Sequence, residues 1–372
     1  MKKSLLALAV LGAFAGTAAA QSSVTLYGTV DVNGRWVKND NQSRRFSQAT
    51  DGINSSQLGF RGVEDLGGGL RAGFNLLSGV NADSGTANAK FFNRRSTVSL
   101  FSPAGELRLG RDYTPTFWNS TIFDAFGTVG LGNSQVVARY VHVRQDNAIG
   151  YFLPSNLGGL YGQLMVAASE SNNGVSTAGD KPARNISGRI GFAAGPFDVA
   201  FAAGQDRFGA LGALNGASQA ALLGTSSIAL ANAGASAGAI LPGDKVNTYN
   251  LGGAFDFGFF KLMSYVERVD LERSKETRGH ISANFRLGQG ELRVGYNRSK
   301  YDADVAAAGL DSTIHQAAAT YQYNLSKRTA MYGTIAWLDN KDATAGALPG
   351  GNGTPGNNGT SKGFELGVRH FF

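Results

Sequence analysis

The groups that most often carry bond-making chemistry are sparse in this sequence. Its 372 residues include no cysteine and four histidines. No thiolate is available as a nucleophile or metal ligand, and no disulfide can form. His142, His280, His315 and His370 fall on separate segments, without the spacing of a metal site or a nucleophile–base pair. Gly67-Gly68-Gly69 reads as a hairpin turn, because no helix or Lys-Ser/Thr follows it as a phosphate cradle requires. These patterns argue against an enzyme and against a bound cofactor or metal. What remains is electrostatic. Arg108 and Arg111 precede, and Arg139 and Arg144 follow, an aromatic and glycine-rich run from Asp112 to Ala138 in which Asp124 is the only further acid. A long aromatic loop is unsuited to bulk water, and this one is expected to fold into a polar interior and narrow a hole. Cations on one wall facing a carboxylate on the loop would select solutes by charge.

Positioning such groups requires a wall, and the chain supplies alternating segments throughout. From Val24 to Val32, Leu26, Val30 and Val32 point one way and Tyr27, Thr29 and Asp31 the other. Leu58 and Phe60 alternate with Gln57, Gly59 and Arg61, which places Arg61 inward. Leu107 and Leu109 alternate with Arg108 and Gly110, so Arg111 reaches the hole only if the strand ends or bulges at Gly110. From Tyr140 to Phe152, Val141, Val143, Ile149 and Tyr151 are expected outward, with His142, Arg144 and Asp146 inward. The repeating unit is strand, tight turn, strand, long polar loop. That asymmetry marks an outer-membrane barrel with short periplasmic turns and longer external loops. Counting the segments predicts an all-β fold, a 16-stranded antiparallel transmembrane β-barrel with an inward-folded third loop. An even count lets first and last strands pair and removes the edges. Aromatic residues near the turns, including Tyr151, Phe152, Phe259, Phe260, Tyr321, Tyr323, Phe371 and Phe372, suit an interfacial girdle.

Residues 1–20 carry Lys2 and Lys3, an apolar core from Leu5 to Phe14 and the ending Ala18-Ala19-Ala20, the pattern of a secretory signal peptide. The remainder, 21–372, is expected to be one barrel domain, with a constriction loop over 113–138 and a long external loop over 205–245. Phe208 to Gly243 carries no charge and is rich in Ala, Gly, Leu and Ser. Of the 34 Lys and Arg, two lie in the leader, leaving 32 against 27 Asp and Glu. That excess suits anionic solutes or lipid; no basic, aromatic-interleaved motif points to nucleic acid.

Five stretches carry a family resemblance: Ser23-Val24-Thr25-Leu26-Tyr27-Gly28, Leu58-Gly59-Phe60-Arg61-Gly62-Val63-Glu64-Asp65-Leu66-Gly67, Leu109-Gly110-Arg111-Asp112-Tyr113-Thr114-Pro115, Leu325-Ser326-Lys327-Arg328-Thr329 and Val368-Arg369-His370-Phe371-Phe372. In order and spacing they resemble the general porins of the Gram-negative outer membrane, in particular the trimeric type of beta-proteobacteria and Neisseria. The resemblance implies a homotrimer in outer-membrane lipid and lipopolysaccharide, passing small hydrophilic or anionic solutes. It places Arg61, Arg111 and Arg144, with Arg139 as a fourth, on a basic wall opposite Asp124 of the loop. Gln57 stands where related porins commonly have arginine, which thins that cluster. Terminal Phe372 resembles the signal read by the barrel-insertion machinery. A channel specific for small carboxylates, or a surface receptor or adhesin, are the alternatives on the same barrel.

Overall fold

The computed structural model describes residues 23–87, 90–138, 141–168, 184–207, 245–271, 274–303, 311–342 and 346–372. Residues 1–20, where a signal peptide is expected, Arg139 and residues 208–244, most of the expected external loop, lie outside the described residues. The first strands are β1 (Ser23–Asn39), β2 (Arg45–Thr50), β3 (Gln57–Gly67), β4 (Leu70–Asn81), β5 (Thr86–Ala87), β6 (Arg95–Ser102) and β7 (Gly105–Tyr113). A helix, α1 (Pro115–Ile122), and a 3-10 turn at Ser134–Val137 precede β8 (Arg144–Phe152). Then come β9 (Leu160–Ala168), β10 (Arg184–Ala194), β11 (Phe197–Arg207), β12 (Lys245–Asp256) and β13 (Phe260–Leu271). The last are β14 (Ser274–Leu287), β15 (Gly290–Ala303), β16 (Ser312–Asn324), β17 (Thr329–Asp342) and β18 (Thr360–Phe371). Strands β2 and β5 are short hairpin arms within loops, and the other sixteen form one closed antiparallel barrel.

Closure is made by β1. Its residues Ser23–Thr29 pair with β3, Val32–Val37 pair with β2, and its other edge runs from Thr29 to Asn39 along β18. The Gly28 and Phe372 backbones exchange two further bonds at 3.1 Å. No described helix is long and apolar enough to cross a membrane; the crossing is made by strands whose outward residues are apolar. Val24, Leu26, Val98, Leu109, Ile149, Leu164, Leu251, Val266, Ile335 and Leu366 are all exposed, while their sequence neighbours turn inward. Tyr151, Phe259, Tyr321, Tyr323 and Phe372 are exposed near the short-turn end, as a girdle requires. Phe152 and Phe371 depart from that expectation, for each lies beneath a guanidinium, Arg108 at 4.1 Å and Arg369 at 3.9 Å from the ring centroid.

Two strand boundaries differ from the sequence expectation. Gln205, Asp206 and Arg207 belong to β11, because they pair with Asn247, Val246 and Lys245 of β12, so the loop expected over 205–245 begins later. Val141 and Val143 are buried rather than outward, because the ladder of β8 starts only at Arg144 and the preceding residues return from the loop against the barrel.

Candidate functional site: an arginine wall and the loop that faces it

The loop between β7 and β8 begins with a local helix signal. Thr114 is the N-cap, its hydroxyl accepting from Phe117 N at 3.3 Å, and Pro115 opens α1, where its missing N–H costs nothing. The helix packs against the inward faces of β10–β12; Asn119 Nδ2 donates to Ala200 O (3.1 Å) and Asn250 Oδ1 (2.7 Å). Beyond it the chain contacts β14, β16 and β18. Ala125 N donates to Ser282 Oγ at 3.0 Å, Gln316 Nε2 to Leu131 O at 2.7 Å, and Leu131 N to Glu365 Oε1 at 3.5 Å.

Inward glycines make room for the loop's aromatic rings. A Cβ at Gly252 would lie 2.2 Å from Phe123, and one at Gly295 would lie 2.6 Å from Phe126. Both rings are buried, each contributing roughly 1.5–3 kcal/mol of apolar burial. Phe123 joins Ala200, Ala254, Met263 and Tyr265 in one pad, and Leu131, Val136 and Val137 join Val37, Ile314 and Leu338 in another. The loop is therefore fastened inside the barrel at both ends of its course.

Asp124 has a different task from the one expected of it. Its side chain is buried, and its carboxylate accepts from Phe126 N (2.8 Å), Thr128 N (3.3 Å), Ser134 N (3.4 Å) and Ser134 Oγ (2.7 Å). His280 Nε2 lies 3.4 Å away. A carboxylate consumed by four donors of its own loop fixes the shape of that loop and presents no free acidic face.

On the β6–β8 side the guanidinium groups gather around Tyr113, the last residue of β7. Its hydroxyl accepts from Arg144 Nη2 at 3.2 Å and from Arg94 Nη1 at 3.4 Å. Arg144 and Arg95 lie over the ring at 4.6 and 5.6 Å. Phe117 stacks on the same ring at 5.9 Å and Trp118 tilts against it at 5.7 Å, so one tyrosine joins the arginines to α1. Asp112 accepts from Arg95 Nε at 2.7 Å and from Arg108, which also forms a bidentate pair with Glu106 at 2.8 and 3.0 Å. Arg94 Nη2 lies 3.6 Å from Asp51. Four guanidinium groups thus face three carboxylates. Burial pushes the Asp51 carboxyl above the ordinary carboxylate range, despite hydrogen bonds from Ser56 and Thr50 and the nearby Arg94.

Of the expected residues, Arg144 is in this group. The bulge expected at Gly110 is present, with φ 121° and a register shift between Gly110 and Asp112. Arg111 nevertheless stands opposite Ser96, on the row of exposed Val98 and Leu100. Its guanidinium donates to Asn93 O at 2.7 Å and to Asp146, which Lys90 also binds. That ties Arg111 to the loop before β6 rather than to Tyr113. Arg61 is exposed on β3, opposite Thr25 and Asn75, with its guanidinium 5.1 Å above the Tyr27 ring. Arg94 and Arg95 were not anticipated; two adjacent arginines at the start of a strand were the available signal.

The returning limb of the loop is held by His142, whose Nδ1 is 2.6 Å from Asp206 Oδ1, while its carbonyl accepts from the Thr114 hydroxyl. Burial disfavours the charged ring, but the Asp206 carboxylate outweighs burial and raises the His142 pKa above the ordinary value. A raised folded-state value means the anchor contributes fully below about pH 6.5 and is lost as pH rises through the raised value. Protease nicking within 114–143 should therefore increase on passing from about pH 6 to about pH 9. His142→Asn should flatten that dependence; an unchanged profile would show that the anchor does not titrate.

A closed barrel with an apolar exterior, a charged interior and a loop lodged across it is an outer-membrane channel for passive diffusion of solutes. The chain belongs to the Gram-negative porin family, whose model matches residues 7–343. It is 35% identical over the full length of both chains to outer membrane porin protein 32 of Delftia acidovorans. Among solved structures it is similar to an anion-selective porin from Comamonas acidovorans, at 31% identity and a TM-score of 0.78, covering 95% of this chain and 100% of that one. A trimer form of OmpT from Vibrio cholerae, 12% identical with a TM-score of 0.63 and covering 94% and 99%, shares the fold, which therefore occurs in oligomeric porins. Family and fold place the chain in the outer membrane and point to a channel rather than to an enzyme.

Proposed function

We propose that the narrow section of this channel lies between the loop 113–138 and the wall bearing Arg94, Arg95 and Arg144, and that it prefers small anions. The observation carrying this reading is the convergence of three guanidinium groups on Tyr113, whose ion-pair partners among the described residues are Asp51 and Asp112. Arg61 continues the positive track toward the short-turn end, Asp124 acts by holding the loop's shape, and Arg111 supports the wall from behind. Two unit charges about 4 Å apart interact by roughly 1 kcal/mol in water and about 4 kcal/mol at an intermediate dielectric, enough to bias ions severalfold without making selection absolute. The resemblance further supports a homotrimer, a cleaved leader over residues 1–20, lipopolysaccharide as the surrounding outer leaflet and Phe372 as the insertion signal.

The raised Asp51 carboxyl gives this reading a pH signature. As pH falls toward that group's range, Asp51 is neutralised before ordinary carboxylates and Arg94 loses its counter-charge. Anion preference should therefore strengthen at mildly acidic pH, and Asp51→Asn should show the stronger preference already at neutral pH with no further step. Reversal potentials across planar bilayers measure this; a preference that weakens on acidification would refute it. Conductance that saturates with a small carboxylate but not with chloride would instead define a channel specific for that solute.

A further inference from the structure

The chain between β2 and β3 turns into the barrel rather than out over its rim. Asp51 opens this turn at φ 64°, in the left-handed region that Asp tolerates because its short side chain bonds locally; here Ser56 N donates to its carboxylate at 2.6 Å. The next three N–H groups converge on one acceptor. Gly52 N donates to Asp31 Oδ1 at 3.1 Å, and Ile53 N and Asn54 N donate to Asp31 Oδ2 at 2.9 and 2.8 Å. The Tyr332 hydroxyl donates to the same carboxylate from β17. Asp31 is completely buried on the inward row of β1, and Tyr332 is buried on the inward row of β17. Four donors on one buried carboxylate make charge-assisted bonds, which fix the turn against the wall. The main chain adds two more, from Asp51 N to Asp31 O at 3.2 Å and from Val80 N to Ser56 O at 3.0 Å.

This turn touches the constriction loop on one side and the arginine wall on the other. A Cβ at Gly52 would lie 1.9 Å from the Tyr332 hydroxyl, and one at Gly130 would lie 1.9 Å from the Gly52 carbonyl oxygen. No spare space separates β17, the turn and the loop. Gly130 itself sits at φ 69°, which glycine adopts without strain. At the other end of the turn the Asp51 carboxylate lies 3.6 Å from Arg94 Nη2. Gly52, Ile53 and Ser56 are buried between these contacts. Residues 51–56 therefore reach from the loop that narrows the channel to the first arginine of the wall that faces it.

Resting on the narrow section proposed above, we infer that residues 51–56 form its third side, a wedge that spaces the constriction loop from the arginine wall and is seated by Asp31 as its positioning residue. Width and charge selection are then separable. Asp31, Gly52 and Gly130 set the opening, and Asp51 sets the counter-charge on Arg94. Removing the Asp31 carboxylate orphans four donors, three of which belong to the turn. The turn is then released, while the strand ladders of the barrel keep their own bonds.

The test measures, in planar bilayers, which sizes of polyethylene glycol lower the conductance of the full-length protein, because a polymer that enters the narrow section reduces the current and an excluded one does not. Asp31→Ala should raise the conductance and shift the cut-off to larger polymers. Asp51→Asn leaves the turn seated, so it should raise the anion-to-cation permeability ratio about fivefold, at roughly 1 kcal/mol for one charge, with the cut-off unchanged. An Asp31→Ala channel with wild-type conductance and cut-off would overturn the inference, as would a shifted cut-off in Asp51→Asn. Deuterium exchange needs no variant to fold: the wild-type amides of residues 52–54 should be protected like those of the barrel strands, and exchange as fast as in the exposed short turns would overturn the inference. Failure of the anion reading is distinguishable, for cation preference in the wild-type protein would remove that reading, whereas a wider Asp31→Ala channel would still support the wedge.

Discussion

Replacing Arg94 and Arg144 together by glutamine is expected to abolish anion preference: at roughly 1 kcal/mol, or about fivefold, per charge, the anion-to-cation permeability ratio should fall by about 25-fold. Both guanidinium groups bond the Tyr113 hydroxyl, and the ring that carries it is otherwise packed by Phe117 and Trp118 of α1. Their removal leaves Arg95 and Arg108 against Asp112, Glu106 and Asp51, so the local balance turns negative. The barrel ladders do not involve these side chains, and the variant should fold. Arg111→Gln is the control: its charge is engaged by Asp146 and Asn93, and its neutralisation should change the ratio far less. The double variant keeping full anion preference, or Arg111→Gln matching its effect, would place the selecting charges elsewhere.

The second large effect is expected from Asp124→Ala. Four donors lose their acceptor in a buried setting, and His280 loses a charged neighbour. Each orphaned donor costs about 1–3 kcal/mol, more than the loop can recover by small shifts while Phe123 and Phe126 remain seated. The loop should detach locally while the barrel stays closed. Single-channel recordings should then show larger and noisier conductance, with ion preference weakened because α1 no longer crowds Tyr113. Asp124→Asn, which retains acceptor capacity, should lie between the two. If Asp124→Ala left conductance unchanged, the loop would be held by its apolar pads alone, and the carboxylate would be dispensable.

The barrel was legible in the sequence because an outer-membrane wall obeys one rule along its whole length, apolar outward and polar inward with period two. Leu26 and Val30 against Tyr27 and Asp31 show it plainly, and the strand runs past the expected Val32 to Asn39 because polar residues such as Asn33 and Asn39 continue the inward row. The rule fails where the chain leaves the wall. Val141 and Val143 keep an outward spacing yet pack inside, since buried apolar pads beneath an infolded loop accept the same residues as lipid does. Arg94 and Arg95 escaped notice for a related reason: they sit at a loop–strand junction where alternation does not yet assign a face. The helix α1 was signalled by Thr114-Pro115 but masked by the aromatic residues after it. Asp124 shows the deeper limit. A lone acid in an aromatic loop can face a pore or satisfy its own backbone, and only the positions of Phe126, Thr128 and Ser134 distinguish the two.

The zero-current potential of the wild-type protein in a planar bilayer under a potassium chloride gradient, whose two ions have similar mobilities, tests the selecting role of Arg94 and Arg144 most directly. The predicted potential has the sign of anion preference at neutral pH, shrinks toward zero in the Arg94 and Arg144 double variant, and grows on mild acidification. A potential with the sign of cation preference, or one indifferent to those two arginines, would contradict it.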